Sequence, residues 1–473
     1  MERRVLDLVL LHNPKAPAAL LPNVQHLTVN LTDFELPKAF LKLVVGPALQ
    51  FVDIHFQGDI DGDRILPHSI WNNMASVLSS SSDLRFFVMG GEWQSISHHH
   101  FMQADFGMQP ELLQLSRGFP HLEEFHAQSA QFDSETLSHF AALPNLKRFS
   151  VAVDSEVLDE FVPGSLDIFD SLVELDIKTG DLDAAQRLFS CPGFGKVESI
   201  CICGLSTGWF GDPYHFFGTL CNRPSKLPLK SLILRHGGVN EGSVLSPSSS
   251  ELGTHTLMPL LSFSDMTILK LYLNVAMAVD DHTLGMMADA WPRLRVLTFS
   301  EPIKLLPPKI TFNGLRCLAA CDDLELLTIR MDLTGPIPDI TQLGNFSPGW
   351  KMTRLSICRS PAEDAIPIIQ LLHALFPRLE TLDCGYASGA DDSEPEDLDP
   401  DEARHMVCWR SVVAIFSERK RQRVALTEYI HKRSRSIMMN SGYLSRFLGR
   451  CLWYLSYGLQ FFSHILRTLR ISY

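Results

Sequence analysis

Cys201 and Cys203 stand two residues apart, and side chains at that spacing on a strand point to one face. With Cys191 upstream and Cys221 downstream they suggest a thiolate metal site. Zinc pairs normally keep about two to four residues between ligands, so the plain reading is reduced thiols. His98-His99-His100 is a second cluster. Three adjacent imidazoles cannot all converge on one ion, and no carboxylate framework stands beside them. Asp59, Asp61 and Asp63 resemble the opening of a calcium loop, but Ile70 occupies the position where a bidentate glutamate is required. Cys191-Pro192-Gly193-Phe194-Gly195-Lys196 is a turn without the strand-to-helix setting of a phosphate loop. Signatures of zinc proteases, nucleophile elbows and kinases are absent. The sequence therefore predicts no catalytic residue, no metal and no cofactor, and a protein that is not an enzyme.

Composition points the same way. Hydrophobic residues make up 45% of the 473 positions and charged residues 20%, enough apolar surface for a large core. The net charge of −13 argues against a general nucleic-acid binder, so no nucleic acid is expected as a partner. Ten cysteines in a chain this long are far too sparse for a disulfide scaffold. The predicted location is cytoplasmic or nuclear.

What must position any functional residue is a repeated phrase, apolar-x-x-apolar-x-apolar. It is clearest at Leu294, Leu297 and Phe299, after Trp291-Pro292-Arg293. Thirteen copies begin at Val24, Leu49, Leu84, Leu122, Leu146, Leu172, Val197, Leu229, Ile268, Leu294, Leu324, Met352 and Leu379. Their spacing runs from 24 residues (Leu122 to Leu146) to 39 (Leu229 to Ile268). The shorter intervals fall in the leucine-rich-repeat range, and the longer ones imply insertions. Lead-ins such as Phe119-Pro120-His121, Leu143-Pro144-Asn145 and Phe376-Pro377-Arg378 stop a helix and extend the residue before proline. Apolar alternation then predicts a strand.

Helical stripes precede many strands: 70–78, 134–140, 281–288 with Asp281 as N-cap, 311–318 and 365–372. The fold class is thus α/β, a curved leucine-rich-repeat solenoid with parallel strands on the concave side and helices on the convex side. Residues 1–23 read as an N-terminal cap or remnant, and 24–390 as an irregular solenoid of about 13 units. Residues 391–402 read as an acidic disordered loop, and 403–473 as a helical C-terminal cap with basic, amphipathic helices. Thr207 to Lys226 is rich in aromatics and predicts a segment folded back on the solenoid. Arg419 to Arg423 fits a nucleic-acid contact or a nuclear import signal, and reads first as a solvated helix face. Tyr443 to Tyr473 mixes arginine with Leu, Phe, Trp and Tyr and has no acid, so besides a cap it fits a partner helix or a membrane surface.

If the second and third apolar positions of each phrase face inward, the residues between and beside them line the concave face. Phe51, Phe86 and Val88 form an apolar stripe at its amino end. Glu124, His126, Glu174 and Asp176 make a mainly acidic stretch interrupted by Arg148, and Lys178, Arg235 and Lys270, with Tyr272, turn it basic. A face of mixed apolar and charged character suits an unknown protein ligand.

The second half carries a resemblance. Ala290-Trp291-Pro292-Arg293-Leu294, the run from Gly314 to Leu327, Arg359-Ser360-Pro361, Phe376-Pro377-Arg378-Leu379 and Trp409-Arg410-Ser411-Val412-Val413 resemble the leucine-rich-repeat region of F-box-like proteins of mushroom-forming (basidiomycete) fungi. That family implies a substrate-binding repeat domain in an SCF-type ubiquitin ligase, docked on Skp1 through an N-terminal F-box. This chain has no recognisable F-box ahead of Val24. Skp1 is expected as a partner only where such a module lies upstream. The alternative is a solenoid that works without an F-box, as an interaction scaffold or at a membrane periphery.

Overall fold

A computed structural model gives the fold. It describes residues 23–31, 45–56, 77–78, 81–91, 113, 117–161, 168–205, 213–223, 227–236, 251–273, 275–300, 306–336, 349–385 and 399–440. The His98–His100 cluster, Asp59, Asp61 and Asp63, most of the acidic stretch and 443–473 lie outside these residues.

Where the lead-in is described, a repeat starts with a turn. The N–H of the first apolar residue of the phrase donates to the carbonyl three residues earlier, as in Leu122 to Phe119 (3.2 Å), Leu294 to Trp291 (3.0 Å) and Leu379 to Phe376 (3.1 Å). The next two N–H groups before and at the strand start converge on one carbonyl of the preceding repeat. Arg295 and Val296 donate to the Thr267 oxygen at 2.8 and 3.1 Å, and Glu325 and Leu326 donate to the Arg295 oxygen at the same distances. The strand then pairs in register with its predecessor.

Thirteen strands stack this way: β1 (His26–Leu31), β2 (Phe51–Phe56), β3 (Phe86–Gly91), β4 (Glu124–Gln131), β5 (Arg148–Ala152), β6 (Glu174–Lys178), β7 (Ser199–Leu205), β8 (Ser231–His236), β10 (Ile268–Tyr272), β12 (Val296–Ser300), β13 (Leu326–Thr328), β14 (Arg354–Ser356) and β15 (Thr381–Asp383). They form one parallel sheet in chain order. Two short strands, β9 (Glu251–Gly253) and β11 (Ala276–Ala278), pair parallel outside it. The described residues of the first unit, Met1–Arg410, thus form a leucine-rich-repeat solenoid. Ser411–Tyr473 forms a second unit.

Twelve of the thirteen phrases pair in the expected register; the ninth is two residues off. Leu232 and Leu234 pair with Leu269 and Leu271, not with Leu271 and Leu273. The phrase therefore begins at Met266, whose N–H closes the turn onto Phe263 at 3.0 Å. Ile268, Leu269, Leu271 and Leu273 are all apolar, so the pattern alone admits two phases. A shift of two keeps every side chain on its face, but it moves Lys270 into the row of Ile233 and Thr298, and sets Tyr272 opposite Arg235.

The helices named among the described residues are α1 (Ser134–Ala141), α2 (Ser155–Glu160), α3 (Leu182–Ser190), α4 (Pro213–Cys221), α5 (Thr254–Leu257), α6 (Asp281–Ala290), α7 (Phe312–Leu318), α8 (Ala365–Leu375) and α9 (Pro400–Asn440). Their apolar stripes pack on the inward strand residues. Between β3 and α4 that core is a run of phenylalanines, with ring centroids 5.2 Å apart for Phe87–Phe125, 4.5 Å for Phe125–Phe140, 5.6 Å for Phe149–Phe169 and 5.0 Å for Phe169–Phe194. Burying each such ring contributes about 1.5–3 kcal/mol.

Three expectations change. The N-cap of α6 is Asp280, whose carboxylate accepts from the Thr283 N–H at 2.8 Å, not Asp281. The aromatic stretch after β7 packs on the solenoid where it is described, but as the repeat's own helix α4, with Phe216 and Phe217 fully buried. Arg223 then reaches back as a donor to the Cys191 carbonyl at 2.8 Å and the Gly193 carbonyl. The last described helix, α9, begins at Pro400, inside the stretch read as acidic loop. Its opening turns belong to the solenoid unit: Trp409 is fully buried and donates from Nε1 to the Ser360 carbonyl at 2.6 Å, and His405 Nδ1 lies 2.8 Å from the Ala362 carbonyl. Arg419, Lys420 and Arg421 are exposed on this helix. Among the described residues no helix is long and apolar enough to cross a membrane.

Candidate functional site

The period-two rule places all eleven candidate side chains on the concave face, where Leu175 and Ile177, for example, point inward and are buried while Glu174, Asp176 and Lys178 between and beside them are not. The amino end is aromatic. His26 and Phe51 rings lie 5.4 Å apart and Phe51 and Phe86 6.0 Å apart, a partly exposed ladder across β1, β2 and β3. Val88 lies in the next row, between Asp53 and His126. Asp53 is held by His55 Nε2 at 2.9 Å.

The acidic stretch is cross-linked, not simply interrupted. Arg148 pairs with Glu124 through Nη1, and its Nε lies 3.3 Å from Glu174 Oε2. His126 Nε2 is 3.7 Å from the other Glu124 oxygen. Two acids and one guanidinium thus share a line across β4, β5 and β6.

Asp176 sits deeper. Burial raises its carboxyl above the usual carboxylate range, opposed by hydrogen bonds from Cys201 and Ser150, the charge of His126, and Gln128. Gln128 Nε2 donates to Asp176 Oδ2 at 2.6 Å and to Ser150 Oγ at 3.0 Å, and Ser150 Oγ lies 3.1 Å from the same carboxylate. Cys203 Sγ lies 3.9 Å from Asp176 Oδ1. Contact with Cys203 and burial push the Cys201 thiol up. Burial lowers the Lys178 ammonium to about 8, with Cys203 acting the other way. Gln128 and Ser150 were missed as a site by sequence reasoning. Their position in the rows was readable, but their hydrogen bonds to Asp176 were not.

Cys201 and Cys203 do share the face as expected, and both thiols are free. Cys191 and Cys221 do not join them: Cys191 follows α3 with its Sγ near the Arg187 carbonyl, and Cys221 ends α4 with its Sγ 2.8 Å from the Pro259 carbonyl. Among the described residues no group of three or more His, Cys, Asp or Glu side chains is arranged to hold a metal ion.

Beyond β7 the face turns cationic and apolar. Arg235 lies with its guanidinium 5.3 Å from the Tyr272 ring centre. Lys270 stands beside half-buried Ile233. The charged and aromatic side chains can bind and orient a ligand surface.

No protein-family model matches this chain, and no curated protein matches it. Among solved structures it is similar to a chain of the yeast Rad7–Elc1 complex, at 16% identity over 67% of this chain and 82% of that one, with a TM-score of 0.33. It is also similar to a chain of the PEPR1–AtPEP1 complex, at 13% identity over 80% of this chain and 54% of that one, with a TM-score of 0.31. This chain thus spans about half of the second.

Proposed function

We propose that this protein is a non-enzymatic protein-recognition scaffold that holds its ligand on the concave strand face. The supporting observation is the face itself. A thirteen-stranded parallel sheet leaves an aromatic ladder at Phe51 and Phe86 partly exposed, beside rows of charged groups. Protein interfaces are likewise enriched in aromatic residues set beside polar ones. From the family that the repeat motifs resemble, the scaffold is the substrate-binding part of an SCF-type ubiquitin ligase, tied to Skp1 by an F-box module supplied upstream.

A photo-crosslinking amino acid placed at Val88 in the full gene product should yield defined protein adducts, while the same group at Asn313, exposed on α7, should not. Equal adducts from both positions would reject the concave-face reading. Absence of Skp1 from affinity-purified full gene product would remove the ubiquitin-ligase assignment and leave the scaffold standing.

A further inference from the structure

The charges of the concave face are unevenly satisfied. On the acidic side Glu124 and Glu174 are held by Arg148, and Asp176 takes hydrogen bonds from Gln128 and Ser150. On the other side Arg235 and Lys270 have no acidic partner among the described residues. The neighbouring strands can supply such partners. Just before the strand starts, off this face, Lys230 holds Glu198 at 2.7 Å and Arg295 holds Glu325 at 3.0 Å. In a protein of net charge −13, two such cations side by side are a local exception.

Their geometry is specific. Tyr272 lies under the Arg235 guanidinium and orients its planar fork, the geometry that suits a carboxylate. Lys270 is on the adjacent strand, displaced by two residues from the partner of Arg235. Diagonal neighbours of this kind are about 7–8 Å apart, close to the spacing of alternate side chains along an extended peptide. Ile233, half-buried, lies directly opposite Lys270 and offers apolar contact beside both charges.

Resting on the recognition reading above, we infer that the part of the concave face on β8 and β10 binds an extended acidic segment of a protein partner. Carboxylates on alternate residues meet Arg235 and Lys270, and a neighbouring aliphatic or aromatic side chain packs on Ile233 and Tyr272.

The full chain is panned against a random nine-residue peptide library, and selected peptides are titrated by fluorescence anisotropy. Selected sequences should carry Asp or Glu at alternate positions next to Leu, Ile, Phe or Tyr. Arg235→Gln and Lys270→Gln should each weaken binding about tenfold, in line with loss of one charge-assisted contact, with unchanged melting curves. The double variant Arg235→Glu/Lys270→Glu should favour peptides with Lys in place of the acids. Enrichment of basic or uncharged peptides overturns the inference but leaves the scaffold reading intact, as does an acidic peptide indifferent to both Gln variants. A phosphoserine version that binds a hundredfold tighter than its glutamate parent overturns it in favour of a phosphopeptide. A library that yields no binder at all counts against both readings.

Discussion

The carboxylate of Asp281, in the first turn of α6, accepts the backbone N–H of Thr311 at 2.7 Å and also the Thr311 hydroxyl. Thr311 is itself the N-cap of α7, so one acid fastens the start of the next repeat's helix to its own. Loss of a charge-assisted pair of this kind removes about 1.5–3 kcal/mol. Asp281→Ala should show that loss in chemical denaturation, and Asp280→Ala, whose carboxylate accepts the N–H and the hydroxyl of Thr283 in the same way, a comparable one.

Asp280 also gives a pH signature. Hydrogen bonds from Thr283, side chain first and then backbone, hold its carboxyl below 3.8. The folded pKa is depressed, so its contribution is present above the unfolded value and is lost as pH falls through the folded one. The stability gap between the parent and Asp280→Ala should be constant above about pH 5 and close under strong acid. A gap that persists at the acid end would contradict this cap.

Gly314 lies in α7 where that helix meets α6. A Cβ there would fall 2.5 Å from Asp281 Oδ1 and 2.9 Å from Leu284 Cδ1. Alanine is the better helix former, yet Gly314→Ala should destabilise the protein by about 1–3 kcal/mol through overpacking. A rise in melting temperature would show that the two helices can part without penalty.

Asp176 and Lys178 are charges held at a disadvantage. Burial raises the first and lowers the second to about 8. For Lys178 the folded state gives up its proton first, so stability rises with pH between about 8 and the unfolded value of 10.5. For Asp176 the folded state holds its proton longer, so stability falls as pH rises above 3.8 through the raised value. Asp176→Asn and Lys178→Met should both raise the melting temperature at pH 7, as expected when a site keeps charges for binding at the expense of stability. A lower melting temperature in both would mark them as structural.

Two fully buried tryptophans should respond differently to phenylalanine. Trp409 Nε1 donates to the Ser360 carbonyl, whereas Trp291 Nε1 has no hydrogen-bond partner. Trp409→Phe strands a buried acceptor and should lose about 1–3 kcal/mol more than its change in volume explains. Trp291→Phe should lose only packing. Denaturant midpoints for the pair, with unchanged slopes, decide it.

Much of this was legible in the chain. Leu294, Leu297 and Phe299 set the phrase, and its period of two assigns Glu174, Asp176 and Lys178 to one face. That assignment is robust because even a slip of two residues leaves parity unchanged. Position along the face is a different matter. Thr267 and Ile268 both donate to the Lys230 carbonyl, and Met266 donates to Phe263. Those bonds, formed with a neighbouring repeat and a local turn, chose between two apolar phases and set Tyr272 beneath Arg235. Likewise the chain showed Arg148 between two acids, but only folding brought it within reach of Glu174 at 3.3 Å, because β4, β5 and β6 meet only as neighbours in the sheet. Local alternation determines which way a side chain faces; pairing between repeats decides what it faces next to.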